Sequence, residues 1–363
     1  MKLVPQSSPY IRKNVSVARM MGDVIIALLP ITFFAMIYNG WDGSYVVLLS
    51  VFTMLLVELV AHMFIKWPQG MKFKELFSKE GFAKVKANYT INNILAPVIS
   101  GLIYALIMPA GCSPYVVIVG AAFGMLIGKM VFGGLGQNIF NPAATGRIFV
   151  TICFGDVLSS ANTSRIVAEA TPLGAVKGNL NAMAFDLIDL FLGNDIGGTI
   201  GEGCKALILV GALYLFVRRS ADLRAALSYF LSFAVVMLIV AISYSGKYSG
   251  NIAKMWSYQL LSGGVIFAAV FMVTDPVTSP TSKYGRVVFG TIAGCMTALI
   301  RVVGAYPEGA AFSILIANLA APAIDYYMRG KPNTCTWRQC LFLACSVGIV
   351  CVIASASVMG GWF

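Results

Sequence analysis

Long apolar runs alternate with short polar segments along nearly the whole chain. Eleven runs approach the length of about 20 residues that a helix needs to cross the hydrocarbon core of a membrane. They cover residues 24–38, 44–65, 91–108, 115–132, 139–154, 205–217, 225–244, 258–274, 287–303, 309–327 and 341–359. Glycine and proline interrupt several of them, so the pattern predicts an all-α polytopic membrane protein with ten or eleven transmembrane helices.

Composition supports this pattern and excludes several classes of protein. Apolar residues make up 58% of the 363 residues and charged residues only 11%, against about 25% charged residues in soluble domains. The mean hydropathy is +0.82, which excludes a disordered chain, a nucleic-acid-binding protein and a typical cytosolic enzyme. The chain has one histidine, and its eight cysteines form no Cys-x-x-Cys pair, so the sequence predicts no metal site.

The basic residues predict the orientation of the helices. With the N-terminus in the cytoplasm, 18 of the 26 Lys and Arg residues fall in cytoplasmic loops and only four in external loops. The loop at 66–90 alone holds six lysines. Because short basic loops remain in the cytoplasm when a chain inserts, the sequence predicts a cytoplasmic N-terminus.

A long polar stretch divides the chain. Residues 155–204 contain six acidic residues against two basic ones and fall on the external side. Long loops are uncommon and often functional, although this one could also be a plain linker. We therefore divide the chain into a first half at 1–154, an external loop at 155–204, a second half at 205–330 and a C-terminal helix at 331–363.

The two halves are weakly similar. Each contains a Gly-x-x-x-Gly pair, at 120–124 and at 290–294, and this spacing permits close approach of helices. Each half also places a proline, Pro109 or Pro276, where its third span ends. An odd number of spans in each half would invert the second half in the membrane. The sequence therefore predicts two inverted five-helix repeats, as in transporters with sites near the membrane midplane.

A few polar residues fall at membrane depth, where they are costly unless they face a cavity or a partner. They are Glu58, His62, Asn141, Arg147, Thr274 and Asp275. For Glu58 and His62, which lie one turn apart, the alternative is a position near the interface from which their polar ends reach water. For Asp275, which precedes a proline, the alternative is an ordinary capping role.

Several segments resemble the NqrB/RnfD family of membrane subunits. They are residues 8–12, 133–142, 169–173, 190–202, 273–280 and 304–309. In that family the subunits belong to an ion-translocating ferredoxin:NAD oxidoreductase (Rnf) or to a sodium-pumping NADH:quinone oxidoreductase, and the short length of this chain favours the RnfD branch. The resemblance implies a subunit that is not catalytic alone. Its complex would couple electron flow between ferredoxin and NAD to Na⁺ or H⁺ transport.

The resemblance also implies flavin cofactors. In the family a threonine carries FMN through a phosphoester bond, in the pattern Ser or Asp, Gly, Ala or Ser, then Thr. Ala170 and Thr171 match the last two positions, whereas Ala168 and Glu169 differ from the first two. The family thus implies covalent FMN on Thr171 and a second, non-covalent flavin, riboflavin, in the helix bundle. The candidate contacts of riboflavin are Asn141, Arg147, Thr274 and Asp275.

The implied partners are the subunits RnfA, RnfB, RnfC, RnfE and RnfG and membrane lipid, in a bacterial or archaeal plasma membrane. No Gly-x-Gly-x-x-Gly follows a predicted strand and no catalytic constellation is visible, so flavin would supply the redox chemistry. Three alternatives stay open: a solute or ion transporter working alone, a membrane enzyme with its own substrate, and a structural anchor. A lone transporter needs no flavin and would be colourless when purified.

Overall fold

The fold is helical. The computed structural model describes residues 16–65, 89–163, 172–177, 179–181, 183, 185–193, 197–248, 250–304, 309–328 and 337–360. Within these ranges every named element is a helix. Six of the described helices are long and apolar enough to cross a membrane, and one bent pair adds a seventh. The protein is therefore an all-helical, multi-pass membrane protein.

Helix α1, Val17–Ile65, is too long to be one span. Its 49 residues would measure about 73 Å if straight, more than twice the hydrocarbon core of about 30 Å. Gly40, with φ 58° and ψ −136°, leaves the helical conformation and separates two helical parts. A residue other than glycine adopts such a positive φ only at a cost. The two parts correspond to the apolar runs at 24–38 and 44–65.

The rest of the first half consists of shorter helices. These are α2 (Ile91–Leu106), α3 (Pro114–Gly128), a 3-10 turn (Met130–Phe132) and α4 (Pro142–Cys153), and α5 (Gly155–Thr163) then begins the external loop. Helices α3 and α4 both begin at a proline. Proline suits the first helical position because the backbone N–H it lacks would have no intrahelical partner there. The run predicted at 139–154 is therefore shortened to begin at Pro142.

The external loop contains short helices only, within its described residues. After α5 they are α6 (Pro172–Val176), α7 (Leu187–Leu192) and a 3-10 turn (Ile200–Glu202). The backbone N–H of Ile200 donates to the carbonyl of Met108 at 2.9 Å, so this part of the loop lies against the end of α2.

The second half and the C-terminal helix contain the remaining elements. These are α8 (Lys205–Arg218), α9 (Leu223–Tyr248), α10 (Ile252–Leu261), α11 (Val265–Phe267, continued by a π-helical turn Ala268–Met272), α12 (Lys283–Val303), α13 (Ala310–Met328) and α14 (Trp337–Gly360). Helices α10 and α11 form the bent pair, with an angle of 57° across the break. The run predicted at 258–274 thus contains a break between two helices.

The glycine pairs lie where helices approach closely. A Cβ on Gly124 would come within 3.0 Å of the Gly146 backbone in α4, and one on Gly294 would press on the Tyr229 backbone in α9. Large apolar side chains such as Ile37 and Trp41 lie on the outer face, 82% and 77% exposed. An apolar outer face around a buried polar interior is the arrangement expected when lipid is the solvent.

Candidate functional site

A cavity of about 230 Å³ lies where the two halves meet the external loop. Its wall combines α4 of the first half, α5 and the parts at 172–173 and 198–202 of the external loop, and the α10–α11 break with the start of α13. The wall is mostly apolar, and Arg147 and Glu202 bring opposite charges to it. A mostly apolar cavity with a few converging polar groups is the usual form of a ligand site.

Arg147 reaches this cavity because of the way its helix begins. Asn141 caps α4: its side-chain oxygen accepts hydrogen bonds from the backbone N–H groups of Ala143 at 3.0 Å and Ala144 at 3.3 Å. Arg147 follows in the second turn, partly buried, with Nη1 3.8 Å from the Sδ atom of Met108. A guanidinium in such surroundings suits an anionic or electron-rich ligand group.

The residues that immediately follow Thr171 are docked onto the second half. In this docked segment, residues 172–177, the Pro172 carbonyl accepts a hydrogen bond of 3.4 Å from the buried hydroxyl of Tyr258. Lys177 Nζ donates to the carbonyl of Gly304, just beyond the end of α12, at 3.1 Å, and burial lowers the pKa of this lysine. Thr171 itself lies outside the described residues, as do the preceding positions 164–170.

A second polar cluster lies away from this cavity. Glu58 of α1 and Lys129, directly after α3, form an ion pair with Oε2 and Nζ 2.5 Å apart. Their side chains are only 2% and 3% exposed. One turn after Glu58, His62 Nδ1 lies 3.3 Å from the amide nitrogen of Asn93. Glu58 and His62 are thus buried inside the bundle and do not reach toward water, in contrast to the alternative that the sequence left open.

The remaining predicted residues lie in the second half near this ion pair. The hydroxyl of Thr274 donates back to the carbonyl of Val270 at 2.5 Å. Asp275 accepts from the Val277 backbone N–H and from the Thr278 hydroxyl, both at 3.1 Å, and it is also attracted electrostatically by Lys129.

The four candidate contacts therefore do not converge on one site. Of the four, all within the described residues, only Arg147 lines the cavity. Asn141 caps its helix, and Thr274 and Asp275 lie at the turn that follows α11, where their hydrogen bonds are local.

Several buried charges had no predicted role, and Lys129 and Asp23 are two of them. Lys129 was placed at the end of an apolar run, but its partner Glu58 is 71 residues away. Asp23 of α1 accepts hydrogen bonds from Tyr214 at 3.1 Å, Arg218 at 3.1 Å and Ser220 at 2.5 Å, and so connects α1 to the end of α8. The sequence feature that could have indicated these residues is a charge at or inside an apolar run. In lipid such a charge implies a partner but does not identify it.

Comparison with known proteins covers nearly the whole chain. The chain is 32% identical over 335 residues to the D subunit of the Na(+)-translocating ferredoxin:NAD(+) oxidoreductase complex of Acetobacterium woodii. The match covers 91% of this chain and 95% of that protein. The chain is 29% identical over 338 residues to the D subunit of the proton-translocating ferredoxin:NAD(+) oxidoreductase complex of Clostridium ljungdahlii, across 88% and 93%. It is also 29% identical to the B subunit of the Na(+)-translocating NADH-quinone reductase of Ectopseudomonas mendocina, across 90% and 87%.

The family described as NQR2, RnfD, RnfE matches residues 4–333. This range includes both halves, the external loop, and every residue of the cavity wall and of the buried ion pair. The chain therefore belongs to the NQR2, RnfD, RnfE family.

Proposed function

We propose that this chain is a membrane flavoprotein subunit of an ion-translocating electron-transfer complex. The complex couples electron flow between ferredoxin and NAD to the transport of Na⁺ or H⁺. The names and coverage of the relatives support this proposal, and relatives named for each ion match at similar identity, 32% and 29%. By the same argument, its partners are the other Rnf subunits, RnfA, RnfB, RnfC, RnfE and RnfG.

Within this proposal, Thr171 carries FMN through a phosphoester bond. The observation that supports it most directly is the cavity, because Pro172 and Leu173, which follow Thr171 in the chain, form part of its wall. The residues present fit the group: the apolar wall suits a flavin ring, and Arg147 suits the negative charge of a phosphate or a reduced ring. When bound, the flavin supplies the electron-transfer chemistry, while this chain binds the ring, orients it and keeps water away.

Riboflavin in the helix bundle is also part of the proposal. Its candidate contacts divide into Arg147 at the external cavity and Asn141, Thr274 and Asp275 elsewhere in the bundle. The electrostatic interaction of Asp275 with Lys129 supports a second polar site away from the cavity. Polar side chains at a helix break can hold the polar edge of such a ring.

The finer architecture belongs to the proposal as well. We propose ten or eleven spans, in two inverted halves at 1–154 and 205–330. The external loop at 155–204 carries the flavin, and the C-terminal helix occupies 331–363. The break at Gly40, the bent α10–α11 pair and the two close helix approaches support it. The N-terminus is proposed to lie in the cytoplasm, on the basis of the basic loops.

The variant Thr171→Val tests the flavin site, because it removes the hydroxyl at nearly constant volume. Expressed with a flavin-attaching transferase, the parent chain should carry the mass of one FMN, and the variant should lose it. Thr199→Val is the matched control, since Thr199 lies in the same cavity wall and donates to Glu202. This control should keep the FMN. Intact mass spectrometry and in-gel flavin fluorescence measure both, and FMN retained on Thr171→Val would contradict the proposal.

A further inference from the structure

A buried arginine holds the break between α10 and α11. Arg301, in the last turn of α12, is 5% exposed. Its Nη1 atom donates to the backbone carbonyl of Gln259 at 2.8 Å and to the side-chain oxygen of the same residue at 3.2 Å. Its Nη2 atom donates to the carbonyl of Ser262 at 3.3 Å. The guanidinium also lies 4.9 Å from the centre of the Phe233 ring in α9, a cation–π contact.

These contacts provide hydrogen-bond donors for carbonyl groups at the end of α10. The last carbonyls of a helix have no intrahelical partner, and inside a membrane no water is present to satisfy them. The planar guanidinium of arginine can reach two separate carbonyls at once, whereas the ammonium of lysine is a compact point charge. Arg301 thus satisfies the end of α10 and fixes the geometry of the break.

The same break receives the docked segment. Gly263, at the centre of the break, has φ 71°, and a Cβ there would lie 2.5 Å from Leu173 Cδ1 and 3.1 Å from Arg301 Nη2. Leu173 and Arg301 therefore contact the same glycine, and no side chain fits between them. Tyr258, in the last turn of α10, adds the hydrogen bond to the Pro172 carbonyl.

We infer that Arg301 is a positioning residue for the docked segment. By holding the carbonyls of Gln259 and Ser262, it presents Gly263 and Tyr258 in the geometry that binds Leu173 and Pro172. The docking follows from the contacts alone; its meaning for a flavin rests on the proposed function, in which the neighbouring Thr171 carries FMN. The flavin would then be held at the cavity by a residue that does not touch it.

The test uses the full-length chain purified with its flavin, in the variants Arg301→Lys and Arg301→Gln. Arg286→Lys is the matched control, because Arg286 lies on the same helix and pairs with Asp222 near its other end. Trypsin cleavage after Lys177 reports release of the docked segment, independently of any flavin. Cleavage after Lys247, which donates to carbonyls at the end of α14, is the internal reference. Iodide quenching of flavin fluorescence reports exposure of the cofactor.

We expect both Arg301 variants to be cleaved after Lys177 about tenfold faster than the parent, as a charge-assisted hydrogen bond to the break is lost. Cleavage after Lys247 and the Arg286→Lys control should stay within about twofold. Flavin fluorescence should become more sensitive to iodide. If Arg301→Gln does not fold, Arg301→Lys decides, because it keeps the charge and loses only the two-carbonyl contact.

Two results would overturn the inference. One is cleavage after Lys177 at the parent rate in a folded Arg301→Lys protein. The other is equal acceleration after Lys177 and Lys247, which would mean a general loosening of the bundle. A parent chain without covalent flavin would contradict the proposed function instead, and the cleavage after Lys177 would still decide the role of Arg301.

Discussion

Asp275 has both a local and a more distant partner. Its carboxylate caps its own turn through Val277 and Thr278, and it also interacts with Lys129, which is already paired with Glu58. The local contacts are those of an ordinary capping aspartate, which asparagine replaces well. The charge that interacts with Lys129, in contrast, is lost in asparagine. The two roles can therefore be separated by a single substitution.

We expect Asp275→Asn to assemble normally and to lose ion pumping in vesicles or ferredoxin-dependent NAD reduction. The reason is that the turn keeps its cap, while the carboxyl group that interacts with Lys129 is replaced by an amide that cannot carry a charge. Thr278→Val is the control, since it removes one hydrogen bond to the same carboxylate and leaves its charge in place. If the Asn variant keeps both activities within about twofold, under ~0.5 kcal/mol on the rate scale, only the capping role remains.

Two helices of the second half, α9 and α12, are joined near their first turns by an ion pair. The loop before α9 contacts the first turn of α12, where Arg286 Nη1 lies 2.5 Å from Asp222 Oδ2. The Arg224 backbone N–H donates to the other oxygen of Asp222 at 2.8 Å. Burial raises the pKa of Asp222, but the hydrogen bonds from Arg286 and Arg224 outweigh it, so the pKa lies below its ordinary value.

A lowered pKa makes this contact depend on pH. The stabilisation is fully present above the unfolded pKa of about 3.9 and is lost as the pH falls through the lower folded value. We expect Asp222→Asn to cost about 1 kcal/mol at neutral pH, because the pair is partly exposed. Thermal unfolding in detergent should show this gap closing as the pH falls below the unfolded pKa and through the lower folded one. The exposed Asp156→Asn serves as a control without effect, and a gap independent of pH would contradict the assignment.

For the whole molecule, the orientation in the membrane is the main prediction. The 18-to-4 distribution of basic residues predicts that the N-terminus lies inside and the loop at 155–204 outside. Single cysteines at Ser160 and Ser78, in a cysteine-free background, would be treated with an impermeant thiol reagent in intact cells. Ser160 is exposed in α5, so its cysteine should react, and the one at Ser78 should react only after lysis. The reverse labelling would overturn this orientation.

Helices and breaks of this protein could be predicted from the sequence because the membrane constrains each span separately. Each span must supply its own apolar length and satisfy its own backbone, so apolar runs, prolines and glycines predict helices and breaks. The runs at 24–38 and 44–65 thus anticipated the two parts of α1. The short motifs around residues 133–142 and 169–173 indicated the family, and the family implied Thr171. Helix starts were less predictable, since the cap at Asn141 and Pro142 shortened one run.

The tertiary structure decided which distant groups meet. Glu58 and Lys129 are 71 residues apart, and Asp23 and Ser220 are 197 apart. The hydrophobic pattern shows that a charged residue is buried and needs a partner. Which residue becomes that partner depends on how whole helices pack. For the same reason only the fold brings Arg147, Leu173 and Gly263 to one cavity, each from a different part of the chain. The sequence thus determined the spans and the chemistry available to them, and packing of the two halves determined where that chemistry is assembled.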